Sequence, residues 1–70
     1  MTNQPDELKF IRLATVCEVA DISKTTIYRL MANGEFPKPV NLGASARRWI
    51  ESEVLAWKEQ KKQERDGVAA

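Results

Sequence analysis

Seventy residues with 43% hydrophobic and 30% charged content and a net charge of +1 suit one small globular domain and leave little room for a deep catalytic pocket. No apolar stretch approaches the roughly 18 residues of a membrane helix, and a single Cys17 without any histidine excludes an internal disulfide and an ordinary zinc site. The segment Met-Thr-Asn-Gln-Pro-Asp-Glu at the amino end has neither the basic nor the apolar region of a secretory signal, so a cytoplasmic location is expected.

Residues 1–8 lack periodicity and read as a flexible tail, followed by a domain over 9–64 and a disordered tail over 65–70. Phe10-Ile11-Arg12-Leu13 reads as a short extended segment covering the core. Thr15-Val16-Cys17-Glu18 has the Thr-x-x-Glu spacing of a capping box, which predicts a helix beginning there. Val16, Val19 and Ala20 form its apolar stripe, and Ile22 is suited to plug the corner after it. Ser23 then caps a second helix by accepting a hydrogen bond from Thr25 or Thr26. In that helix Ile27, Leu30 and Met31 recur at i, i+3 and i+4, the spacing of a buried seam.

Asn33-Gly34 stops the helix, because glycine takes a left-handed closing conformation at almost no cost. Pro37 and Pro39 prevent a restart and hold Lys38 extended between them. Val40-Asn41-Leu42, the small residues 43–46 and Arg47-Arg48-Trp49-Ile50 together read as a β-hairpin. A third helix is predicted from about Glu51, with Glu51 and Glu53 at its positive end and Lys58, Lys61, Lys62 and Arg65 toward its negative end. Ile50, Val54 and Trp57, with Leu55 beside them, pack its first two turns on the core, and residues 59–70 are expected to fray. The order is helix, turn, helix, hairpin, helix. This is a mainly α fold with a small β-hairpin wing, a winged helix-turn-helix.

Charge is unevenly distributed along this order. Residues 1–22 carry −2 and residues 51–70 carry −1, whereas residues 23–50 hold Lys24, Arg29, Lys38, Arg47 and Arg48 against Glu35 alone. That concentration is the footprint phosphate binding requires. Thr25, Arg29 and Ala32 lie opposite the apolar seam of the second helix, flanked by Thr26 and Tyr28. Hydroxyls, one guanidinium and a methyl group can approach base edges closely. The candidate DNA-binding residues are Ser23, Lys24, Thr25, Thr26, Tyr28, Arg29, Lys38, Arg47 and Arg48. Arg29 is the candidate for reading guanine, while Lys24 and Lys38 are suited to phosphate. Phe36, Trp49 and Trp57 read as core rather than as base-stacking platforms, and Cys17 as a small hydrophobe.

The run Ser23-x-Thr25-Thr26-Ile27-Tyr28-Arg29-Leu30, then Gly34-x-Phe36-Pro37-x-Pro39, Leu42, Arg48-Trp49 and Glu53-Val54-x-x-Trp57 resembles the AlpA-like prophage regulatory proteins, which group with excisionase and MerR-type winged helices. The resemblance spans roughly residues 11–58. It implies a DNA-binding regulator of phage or prophage type, acting as a transcription factor for integrase or excision genes or as an excisionase, a recombination directionality factor. Asp21 stands where these proteins often have glycine, a position that aspartate tolerates better than most residues. Ser45 stands where a basic wing residue is common and Arg47 where an apolar one is usual, which moves the wing charge two positions along the chain.

No catalytic constellation is present: histidine is absent and the acids sit at helix ends or in tails, so the chain is not expected to be an enzyme or to need a cofactor. The alternative function is a protein-interaction module that docks a recombinase (integrase) or RNA polymerase through the third helix. A monomer or weak dimer is expected, with several copies on double-stranded DNA because one copy covers little of it.

Overall fold

In the computed structural model, which describes residues 8–68, every helix and two of the three strands carry a buried residue. The order is β1 (Phe10–Ile11), α1 (Leu13–Ala20), α2 (Lys24–Ala32), β2 (Val40–Asn41), β3 (Arg47–Ile50) and α3 (Glu51–Val68). The expected winged helix-turn-helix order is present. The tail readings at residues 1–7 and 69–70 lie outside the described residues.

The core consists of Ile11, Val16, Ala20, Ile27, Phe36, Trp49 and Val54. Every element except β2 contributes to it, as does the connection between α2 and β2. Leu13, Cys17, Val19, Ile22, Leu30, Met31 and Trp57 pack around this cluster while remaining half-exposed. Cys17 and Ile22 thus take the packing roles read from the sequence.

Helix α1 begins earlier than its Thr-x-x-Glu signature predicts. Arg12 is the cap residue, without a side-chain cap bond, and Val16 N–H already donates to the Arg12 carbonyl at 2.9 Å. Thr15 therefore lies inside the helix and forms no capping box. The apolar seam extends back to Leu13 at i−3 from Val16, where it packs half-buried against the core. Burying a leucine fully is worth about 1.5–3 kcal/mol, so even partial burial matches the roughly 1 kcal/mol of a cap.

The turn between α1 and α2 closes on Asp21, at φ 63°. The Asp21 and Ile22 amides both donate to the Cys17 carbonyl, at 2.8 and 3.3 Å. Ser23 caps α2 by accepting from the Thr26 amide at 3.2 Å. At its other end Gly34, at φ 72°, donates to Met31 while Glu35 donates to Leu30, the paired bonds of a Schellman closure.

The hairpin forms with Val40 opposite Arg48 and Asn41 opposite Arg47. Its loop is closed by Leu42 N–H to the Ala46 carbonyl at 2.7 Å and Ala46 N–H to the Gly43 carbonyl at 3.1 Å. The first extended segment does more than cover the core. It pairs antiparallel with β3, placing Ile11 opposite Trp49, so β3 becomes the centre of a sheet ordered β1-β3-β2.

Helix α3 includes residues 65–68, which the sequence reading assigns to a tail. The helix continues into them from a run of good helix formers over residues 58–65, along which Lys61 and Glu64 pair at i,i+3. Leu55, expected beside the core stripe, is instead 49% exposed. It lies 100° around the helix from Val54, beyond the edge that faces the fold.

Candidate nucleic-acid interface

Helix α2 has one buried residue, Ile27 at 0% exposure. Leu30 and Met31 are half-buried on the same side, whereas Ser23, Lys24, Thr25, Tyr28 and Arg29 are exposed and Thr26 is half-buried. Tyr28, an aromatic residue that could have completed the core, keeps 42% exposure. The seam at i, i+3 and i+4 therefore turns the remaining helix surface outward. Ser23 and Thr26 hydroxyl oxygens lie 3.0 Å apart, so these two side chains form a local unit at the helix start while Thr25 beside them makes no such bond among the described residues.

Lys38 is exposed between half-buried Pro37 and Pro39, and its backbone is anchored from the interior. Trp49 Nε1–H donates to the Pro37 carbonyl at 3.1 Å and Trp57 Nε1–H to the Glu35 carbonyl at 2.8 Å. Phe36, between those carbonyls, meets the Trp57 ring edge to face with centroids 4.9 Å apart and planes at 65°. The two tryptophans and Phe36 thus pack as structural groups, and together they hold the strap that carries Lys38. An indole N–H packed against a fold usually finds an acceptor, and the strap presents carbonyls outside any ladder.

On the wing, Arg47 is exposed and Arg48 half-buried. Arg48 turns its guanidinium back along its own strand, donating to the Arg47 carbonyl at 2.9 Å. Arg47 consequently projects more freely than Arg48. Asn41, not singled out from the sequence, is exposed directly across from Arg47. Its position follows from hairpin register, which depends on where the loop closes.

Among the described residues both ion pairs lie within α3. No carboxylate there pairs with Lys24, Arg29, Lys38, Arg47 or Arg48. Also among the described residues, no group of three His, Cys, Asp or Glu is placed to hold a metal ion, and no helix is long and apolar enough to cross a membrane.

An uncharacterized protein, ORF88, of Enterobacteria phage P4 is 43% identical over 49 residues, which cover 70% of this chain and 56% of that protein. The chain thus spans just over half the length of this curated relative. No solved structure matches significantly. The family described as Prophage CP4-57 regulatory protein (AlpA) matches residues 9–62, nearly the whole described fold, and the chain belongs to that family of prophage regulatory proteins.

Proposed function

We propose that the chain is a sequence-specific regulator that binds double-stranded DNA, with α2 in the major groove and the wing of residues 43–48 alongside. One observation carries this reading: the α2 surface opposite Ile27 exposes Thr25, Tyr28 and Arg29, and Arg29 has no ion-pair partner among the described residues. An arginine so presented can form the paired hydrogen bonds that read guanine O6 and N7. Lys24, Lys38, Arg47 and Arg48 supply phosphate contacts, and the Ser23–Thr26 unit supports the helix start that enters the groove.

Membership of a prophage regulatory family supports action on integrase or excision genes as a transcription factor, or on an attachment site as a recombination directionality factor. Such a regulator works in the bacterial cytoplasm, on the nucleoid, with several copies of a monomer or weak dimer side by side. A mobility-shift titration of the full chain on phage attachment-site and promoter fragments tests DNA binding. Retardation that is lost on reversing Arg29 and Arg48 to glutamate supports it, and an unshifted duplex at micromolar protein overturns it. Mapping occupied sites in the host then separates the two roles, because a regulator occupies a promoter and a directionality factor an attachment site.

A second reading is docking of an integrase or RNA polymerase through α3. It is favoured by the exposure of residues 58–67 along that helix, beyond its last core contact at Trp57.

A further inference from the structure

A groove of about 820 Å³ runs between the strap after α2 and the outer side of α3. Glu35, Phe36 and Lys38 line one wall and Glu53, Trp57 and Glu64 the other. Phe36 is buried, so the half-exposed Trp57 ring is the aromatic surface an occupant meets. This volume falls within the range of roughly 300–1,000 Å³ typical of small-ligand clefts. It accepts a side chain with flanking backbone rather than a whole helix.

Two features give the groove a preference. The Trp57 ring is within reach of a cation: Lys61 Nζ, one helical turn on, lies 5.9 Å from its centroid, at the outer limit of about 6 Å for such contacts. Lys61 also pairs with Glu64 at 3.3 Å, with side chains 43% and 51% exposed, an arrangement worth little in water and easily exchanged. With that pair neutralised, Glu35 and Glu53 outnumber Lys38 along the walls. The carboxylates lining the groove thus exceed its cations by one, although its strap wall, residues 34–38, belongs to the basic segment 23–50. A polyanion is disfavoured in the groove, and a cation that stacks on an aromatic ring while pairing with carboxylates is favoured.

We infer that this groove docks an arginine-bearing segment of a protein partner, the guanidinium displacing Lys61 from the Trp57 face and pairing with Glu53 or Glu35. Arginine fits better than lysine because its planar, weakly hydrated group stacks on indole and offers a fork of donors to a carboxylate. The exposed surface of α3 beyond the groove extends the contact for a macromolecular occupant. The inference deepens the α3-docking reading by naming the chemistry of the partner. It needs none of the DNA contacts, since Lys38 alone is common to the two surfaces.

The test is a titration of the full chain with capped triarginine, trilysine and triglutamate, followed by the indole N–H resonances of Trp57 and Trp49 in NMR spectra. The expected result is a saturable shift of the Trp57 signal by triarginine, affinity at least threefold lower for trilysine, no response to triglutamate, and a Trp49 signal that stays in place. Glu53→Gln and Glu35→Gln each weaken triarginine binding at least threefold. Lys61→Gln strengthens it about twofold or more, whereas Lys58→Gln, the same charge change away from the groove, does not. The inference is overturned by a stationary Trp57 signal at millimolar peptide, by equal affinity for triarginine and trilysine, or by equal effects of Lys61→Gln and Lys58→Gln. It is also overturned if protein concentration alone shifts the Trp57 signal, which makes a second copy the occupant, or if duplex DNA alone does so, which makes the groove part of a nucleic-acid surface. Loss of duplex binding with the peptide responses intact removes the DNA reading and leaves this one standing.

Discussion

Trp57 on α3 donates its indole N–H to the backbone carbonyl of Glu35 at 2.8 Å, joining the third helix to the residue that closes α2. Trp49 makes the equivalent bond two residues further on, to Pro37 at 3.1 Å. The strap between α2 and the hairpin is thus held by side chains from α3 and β3. Replacing Trp57 by Phe retains most of the ring packing and removes one hydrogen bond, so we expect a loss of about 1 kcal/mol. Trp49→Ala, at a residue 2% exposed, costs about 3–5 kcal/mol, comparable to the whole stability of a marginal domain. Urea denaturation followed by circular dichroism compares the two. Equal losses would refute the division of labour between packing and hydrogen bonding.

Asp21 holds a left-handed conformation at φ 63°, a geometry unfavourable for most residues with a Cβ and free of that penalty in glycine. Asp21→Gly is expected to stabilise by about 0.5 kcal/mol after the greater flexibility of the unfolded chain is counted. Asp21→Val should destabilise by more than 1 kcal/mol, about 4–8 °C in Tm per kcal/mol for a domain of this size. A thermal melt in which valine is tolerated as well as glycine would contradict the assigned turn.

Ser23→Ala removes the acceptor for the Thr26 amide at the start of α2. The expected cost is about 0.5–2 kcal/mol, with Ser23→Asp recovering most of it because a carboxylate accepts the same bond and favours the positive helix end. Chemical denaturation of the three proteins decides this. Full stability in the alanine variant would show that the cap contributes nothing.

If α2 reads base edges, Arg29→Ala should flatten the preference for the cognate duplex over a scrambled one by about 1–3 kcal/mol. Lys38→Ala should instead weaken both duplexes alike. Neutralising roughly four to five phosphates predicts a slope near −4 in log affinity against log salt, and loss of Lys38 reduces its magnitude by about 1. Fluorescence anisotropy across a salt series measures both quantities. A specificity loss from Lys38→Ala rather than Arg29→Ala would exchange the two roles.

The last core contact of α3 is Trp57, while residues 58–67 are exposed. Deleting residues 63–70 should change stability by no more than about 0.5 kcal/mol, as surface changes do. Amide exchange should be fast across residues 58–68 and slow near Val54. Strong protection at the distal end would reveal packing that the isolated chain does not provide.

Signals confined to a few neighbouring residues could be read directly from the order of amino acids. The seam Ile27, Leu30 and Met31, the Ser23 cap, the Gly34 closure and the small-residue hairpin loop each depend on helical period, local hydrogen bonding or backbone freedom. These also identify the outward side of α2 and therefore most of the candidate interface. The pairing of Phe10 and Ile11 with β3, the early start of α1 at Leu13, the outward position of Leu55 and the anchoring of the strap by Trp49 and Trp57 emerge only in three dimensions. In each case groups distant in sequence compete for the same buried space or the same hydrogen-bond partner. Which group prevails depends on contacts that exist only after the chain has closed on itself.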